Sequence, residues 1–144
     1  MSEIRVFVAG EPQSKGSTKA FYIKKLERTV TTDSNPRNKQ WQLRVAMEVQ
    51  RAVQEAPGWF SDDRRIGYEV EAMFRFTKPK STPKRWTLMT KRPDLDKTMR
   101  SLGDALTHIA FPDDSQIVKI TIGKRYCEPG EMPGVDAVIR KIED

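Results

Sequence analysis

Five acidic residues fall within residues 91–118 of a chain that is basic overall: Asp94, Asp96, Asp104, Asp113 and Asp114. Asp94 and Asp96 flank Leu95 directly after Pro93, and Asp113 and Asp114 are adjacent. Such a cluster needs compensating charge, from a divalent cation or from the Lys and Arg around it. In an extended segment Asp94 and Asp96 project to the same side. If a helix begins between them, one sits on the incoming loop and the other on the first turn, where the helix dipole favours a negative charge. Carboxylate oxygens of this kind suit Mg²⁺, with Mn²⁺ as a substitute. An ion held there would acidify an attacking water and offset charge on a phosphodiester transition state. Arg100, one turn beyond Asp96, could clamp a non-bridging phosphate oxygen. Its guanidinium stays protonated, so it is a poor general base. The plain alternative is a surface ladder of Asp96, Arg100 and Asp104 at i, i+4 spacing, worth about a few tenths of a kcal/mol per pair.

Spacing imposes a condition on any shared metal site. Leu95, Met99, Leu102, Leu106 and Ile109 recur at intervals of four and three, which predicts a helix over 95–109 with one buried face. A helix of about 15 residues is roughly 22 Å long and holds Asp94 and Asp96 away from Asp114. The three meet only if the helix is shorter, if the loop after it folds back, or if two copies of the chain pair. His108 is expected at the helix end, bonding to a carbonyl rather than serving as a base.

The rest of the chain must position these groups. Glu3 to Ala9 alternates and predicts a strand, and residues 13–20 predict a polar, basic loop with Lys15 and Lys19 as phosphate contacts or merely solvated cations. Residues 21–26 and 28–32 predict two short strands. Trp41, Val45, Val49 and Val53 predict a helix over 36–55, capped near Ser34 or Asn35. Residues 66–77 alternate cleanly and predict a strand. Residues 78–85 carry Lys78, Lys80, Lys84 and Arg85 with two prolines and predict an exposed loop. Trp86 follows, able to stack on a base or to pack on the scaffold. Residues 115–123 and 133–142 predict two more strands. The 62–63 acidic pair, followed by Arg64 and Arg65, reads as locally neutralised.

With 144 residues, the chain suits one domain spanning 1–144. Its net charge of +6 favours a polyanionic partner, most simply nucleic acid. One cysteine and one histidine exclude an internal disulfide and any Cys-based or multi-His metal site within one chain. There is no run near the ~18 apolar residues of a membrane helix and no signal-peptide pattern, so the expectation is a soluble cytoplasmic protein.

The ordered set Arg92-Pro93-Asp94-Leu95-Asp96, Arg100, Asp104-Ala105-Leu106 and Asp113-Asp114-Ser115-Gln116-Ile117 resembles the RusA family of Holliday-junction resolvases of phages and prophages. That family carries D-x-D-N, a Lys four residues after the second Asp, D-A-L, and D-D-x-Q-[IV]. Gly10, Pro12, Lys15 and Gly16 agree more loosely with its early G-x-P…K-G segment, and Pro133-Gly134-Val135 with its final strand. The chain departs from the pattern twice: Lys97 stands for the Asn, and Arg100 for the Lys.

The resemblance implies an α+β fold, a mixed β-sheet with two main helices, and a RusA-like homodimer. It implies a Mg²⁺-dependent endodeoxyribonuclease that resolves four-way junctions by paired nicks, in a bacterial host cell, with no small-molecule substrate. By it, Asp94, Asp96 and Asp114 are the metal-binding catalytic aspartates, and Arg100 takes the family lysine's place. The expected phosphate-binding surface is Lys15, Lys19, Lys24, Lys25, Lys78, Lys80, Lys84 and Arg85, with Lys97 offering a further ammonium beside Arg100. The rival expectation is a branched-DNA-binding module that is weakly catalytic or not catalytic at all.

Overall fold

Alternating apolar residues build a four-stranded sheet, and two apolar helix stripes cover one of its faces. The structure is a computed structural model and describes residues 2–16 and 18–142. In chain order the elements are β1 (Glu3–Ala9), β2 (Thr18–Ile23), β3 (Arg28–Asp33), α1 (Asn38–Gln54), β4 (Gly67–Phe76), α2 (Leu95–Leu106), a 3-10 turn (Asp114–Gln116), β5 (Ile117–Tyr126) and β6 (Gly134–Ile142). The main sheet has the order β1-β6-β4-β5. Only the β4 and β5 pair is parallel; β6 runs antiparallel to both β1 and β4. Strands β2 and β3 form a separate hairpin sheet. The fold is therefore α+β with a mixed sheet, as expected.

The buried face of the sheet is Ile4 and Val8 of β1, Val70, Ala72, Phe74 and Phe76 of β4, and Val135, Ala137 and Ile139 of β6. Against it lie Trp41, Val45 and Val49 of α1 and Met99, Leu102 and Leu106 of α2. The predicted helical stripes are thus core. The opposite face is charged: Arg140 pairs with Glu3, Glu69 and Glu71, and Arg75 pairs with Glu131 and Asp136.

Several boundaries differ from expectation, each for a local reason. Helix α2 ends at Leu106, not Ile109, because Thr107 turns extended and His108 takes a positive φ of 72°. The backbone N–H of His108 then bonds to the Phe111 carbonyl at 2.7 Å. Ile109 still packs on the core, so its apolar spacing reported burial but not helix. Strand β2 starts at Thr18, and residues 24–27 form the turn in place of a strand end, leaving Leu26 exposed. Helix α1 starts at Asn38, two residues late, while the Asn35 side chain accepts from the Arg37 N–H. Strand β5 starts two residues later than expected and runs on to Tyr126, because 124–126 continue to pair with Phe74, Arg75 and Phe76.

Candidate active site

Helix α2 is the shelf of the site. At 12 residues it is about 18 Å long, shorter than the spacing predicted. Its buried side carries Thr98, Met99, Ser101 and Leu102, and this fixes which way Asp96, Arg100 and Asp104 face. A polar seam ties it to α1. The Ser101 hydroxyl donates to the Asn38 side-chain carbonyl in a short buried bond, and Gln42 Nε2 donates to the Ser101 carbonyl at 3.1 Å.

Asp94 is the N-cap residue of α2, yet its side chain makes no capping hydrogen bond. Its backbone carbonyl instead accepts from the Thr98 N–H and hydroxyl. The carboxylate is left facing outwards, 3.7 Å from Lys97 Nζ. Asp96 and Arg100 are exposed, and among the described residues neither side chain makes a hydrogen bond or ion pair. The predicted surface ladder is therefore absent: Asp104 pairs with Lys15, Nζ to Oδ2 at 3.0 Å.

Lys15 is brought by the loop that follows β1. Gly10 bonds through its N–H to the Pro133 carbonyl at 3.0 Å, and the Lys15 N–H bonds to the Lys97 carbonyl at 3.1 Å. The loop thus lies along α2. Between them opens a cleft of about 660 Å³ whose lining includes Lys15, Arg37, Arg92, Asp94 and Lys97. Arg37, near the start of α1, was readable from the sequence as able to reach phosphate or merely solvated; Arg92 was not among the expected DNA contacts.

The second acidic pair divides its labour. Asp113 caps the 3-10 turn, Oδ1 accepting from the Ser115 N–H at 2.9 Å, and faces Arg64 at 3.6 Å. The backbone hydrogen bond from Ser115 holds its carboxyl below the usual carboxylate range. Asp114 is pushed up instead, first by burial, then by the hydrogen bond and charge of Asp113 and the charge of Asp104; Lys15 pulls the other way. Gln116 is buried beneath this turn, and its Nε2 donates to the carbonyls of Asp63 and Ile66. The motif glutamine therefore anchors the turn to the segment entering β4.

So Asp114 lies within the electrostatic reach of Asp104 on α2 and of Lys15 on the loop after β1, while neither Asp94 nor Asp96 is among the groups that shift it. Among the described residues, no three acidic, His or Cys side chains stand as a ready ligand set. The donor chemistry fits a divalent cation: every candidate ligand is a carboxylate, and like charge already crowds Asp114. The sequence offered Asp104 as part of the D-A-L motif and, in the plain alternative, of a surface ladder; its pairing with Lys15 had no local signal.

The other expected DNA contacts are more scattered. Lys24 and Lys25 sit on the exposed β2 to β3 turn. Lys80, Lys84 and Arg85 are exposed on the loop after β4, where Lys78 bonds to the Lys84 carbonyl and lies over the Tyr126 ring. The Lys19 side chain lies outside the described residues. Trp86 is half exposed, with Lys91 Nζ 5.2 Å from its ring centre.

A family model described as Endodeoxyribonuclease RusA matches residues 10–137. The uncharacterized protein YqaN of Bacillus subtilis (strain 168) is 38% identical over 53 residues, covering 37% of this chain and 35% of that protein. The chain thus spans about a third of the length of that curated relative.

Proposed function

From its membership of the RusA family of endodeoxyribonucleases, enzymes of Holliday-junction resolution, we propose that the chain acts as a homodimeric, Mg²⁺-dependent resolvase that nicks branched DNA in pairs. Asp94, Asp96 and Asp114 hold the ion, with Mn²⁺ able to replace Mg²⁺. Bound there, the ion supplies Lewis acidity towards the scissile phosphate and acidifies water. The chain's own residues do the rest. Lys15 and Lys97, with Arg37 and Arg92, receive the phosphodiester backbone in the cleft. Arg100, which has no partner among the described residues, turns its guanidinium to a non-bridging oxygen. The two copies of the dimer present one site to each strand of the junction, and the cations of the 78–85 loop and the 24–25 turn lie further along the DNA.

The observation that carries this reading is the place of Asp114. Its neighbour Asp113 is spent on capping and on Arg64, while Asp114 is raised by burial and by the charges of Asp113 and of Asp104 on α2. The test is cleavage of a synthetic four-way junction with Mg²⁺ by the wild type, Asp96→Asn and Asp114→Asn. Each substitution should lower the rate by at least about a hundredfold and leave junction binding intact. Wild-type cleavage by Asp114→Asn would remove that residue from the site. Tight junction binding by the wild type with no metal-dependent nicking would assign the chain to the non-catalytic reading instead.

A further inference from the structure

The loop that carries Asp94 into the site has little holding it from its own backbone. Among the described residues, 91–93 make no backbone-to-backbone hydrogen bond, and Pro93 has no N–H to offer. A side chain from a distant strand supplies the missing donors. Lys124 of β5 pairs in register with Phe74 on the helix-covered side of the sheet. Its Nζ donates to the Lys91 carbonyl at 2.8 Å and to the Pro93 carbonyl at 2.8 Å. Charge-assisted bonds of this length are stronger than neutral ones, and two from one ammonium fix a direction as well as a distance. The second of these carbonyls belongs to the peptide that leads directly into Asp94. The Asp94 carbonyl is in turn fastened by Thr98, so the residue is clamped from both sides and its carboxylate, which makes no capping bond, has only Lys97 Nζ at 3.7 Å.

We propose that Lys124 is a positioning residue: its ammonium tethers the 91–93 backbone and thereby aims the Asp94 carboxylate into the cleft. The inference rests on the nuclease reading for what the aim achieves, but the tether itself can be tested without it. A misplaced carboxylate costs rate more than binding, since displacements of about 1 Å can lower rates about a hundredfold. Replacing the side chain does not touch the backbone pairing of β5, so the fold should survive.

The experiment compares the wild type with Lys124→Met and Lys124→Arg, the latter keeping donors for both carbonyls. On a four-way junction with saturating Mn²⁺, Lys124→Met should lose about thirty- to a hundredfold in kcat with KM within about twofold of wild type. Lys124→Arg should recover most of the loss. Without DNA, the rise in Tm on adding Mn²⁺ should shrink in Lys124→Met and return in Lys124→Arg. The inference is overturned if Lys124→Met keeps wild-type kcat and Mn²⁺ response, or if Lys124→Arg is no better than Lys124→Met. If the wild type neither cleaves nor responds to Mn²⁺, the nuclease reading falls, and hydrogen exchange decides the tether. Faster exchange at the Thr98 amide, which donates to the Asp94 carbonyl, in Lys124→Met supports it, and unchanged exchange refutes it.

Discussion

At the scale of single residues, adjacent and chemically identical side chains do different work. Asp113 and Asp114 cannot be told apart by composition, and only backbone geometry separates them. Asp113 has an extended backbone and accepts from the N–H two residues on, the usual bond of a capping aspartate. We therefore expect Asp113→Asn, whose amide oxygen can still accept that bond, to keep cleavage within about threefold, against the loss predicted for Asp114→Asn. Parallel single-turnover assays check this. Asp94, Asp96 and Asp114 were legible as candidate ligands through the resemblance of their ordered motifs to the RusA family, since spaced aspartates alone are a weak signal. It did not identify Lys124, because a lysine 33 residues away from a carbonyl carries no local signal. Nor did it reveal the pairing of Lys15 with Asp104, which spans 89 residues.

Among elements, the periodic ones were legible and their ends were not. Strand β1 falls where alternation placed it, and the stripes of α1 and α2 are buried as expected. Boundaries shifted where a turn competed with an apolar residue, as at Leu26 and Ile109. The seam between α1 and α2 gives one check: Ser101→Ala removes a fully buried hydrogen bond and should cost about 1–2 kcal/mol in urea unfolding. The connection between β5 and β6 gives another. Glu131 accepts from Arg125, Arg75 and the Glu128 N–H, and these hold its carboxyl far below the usual range. A depressed folded-state pKa contributes stability above the unfolded value, and that contribution is lost as pH falls towards the folded one. Glu131→Gln should therefore lower Tm at neutral pH. Its deficit relative to wild type should shrink as the pH drops below the ordinary glutamate value of 4.5, followed by calorimetry across pH.

For the whole molecule, charge was readable and topology was not. A net charge of +6 pointed towards a polyanion, but the placing of Arg37 and Arg92 at one cleft required the fold. Junction affinity should fall steeply with salt. Arg37→Gln and Arg92→Gln should each reduce the slope of log affinity against log salt by about one, read by fluorescence anisotropy in a salt series. The strand order β1-β6-β4-β5 left no mark on the sequence, because alternation tells which side of a strand is buried but not which strand lies beside it. Nor could it show that β4 and β5 run parallel.

That order has a consequence for how the protein comes into being. Strand β1 has a single partner in its sheet, and that partner is β6, which leaves the ribosome last among the strands. At the join the fit is close: a side-chain carbon on Gly134 would fall 2.3 Å from the Val8 carbonyl oxygen. The loop that presents Lys15 is moored next to it, through Gly10 and Pro133. Until residues 133–142 are made, β1 has no strand to pair with in its sheet, and the loop after it lacks its Gly10 mooring. Such contacts, distant along the chain, close late. The pairing of β1 and the Gly10 mooring of the Lys15 loop thus both wait on residues 133–142.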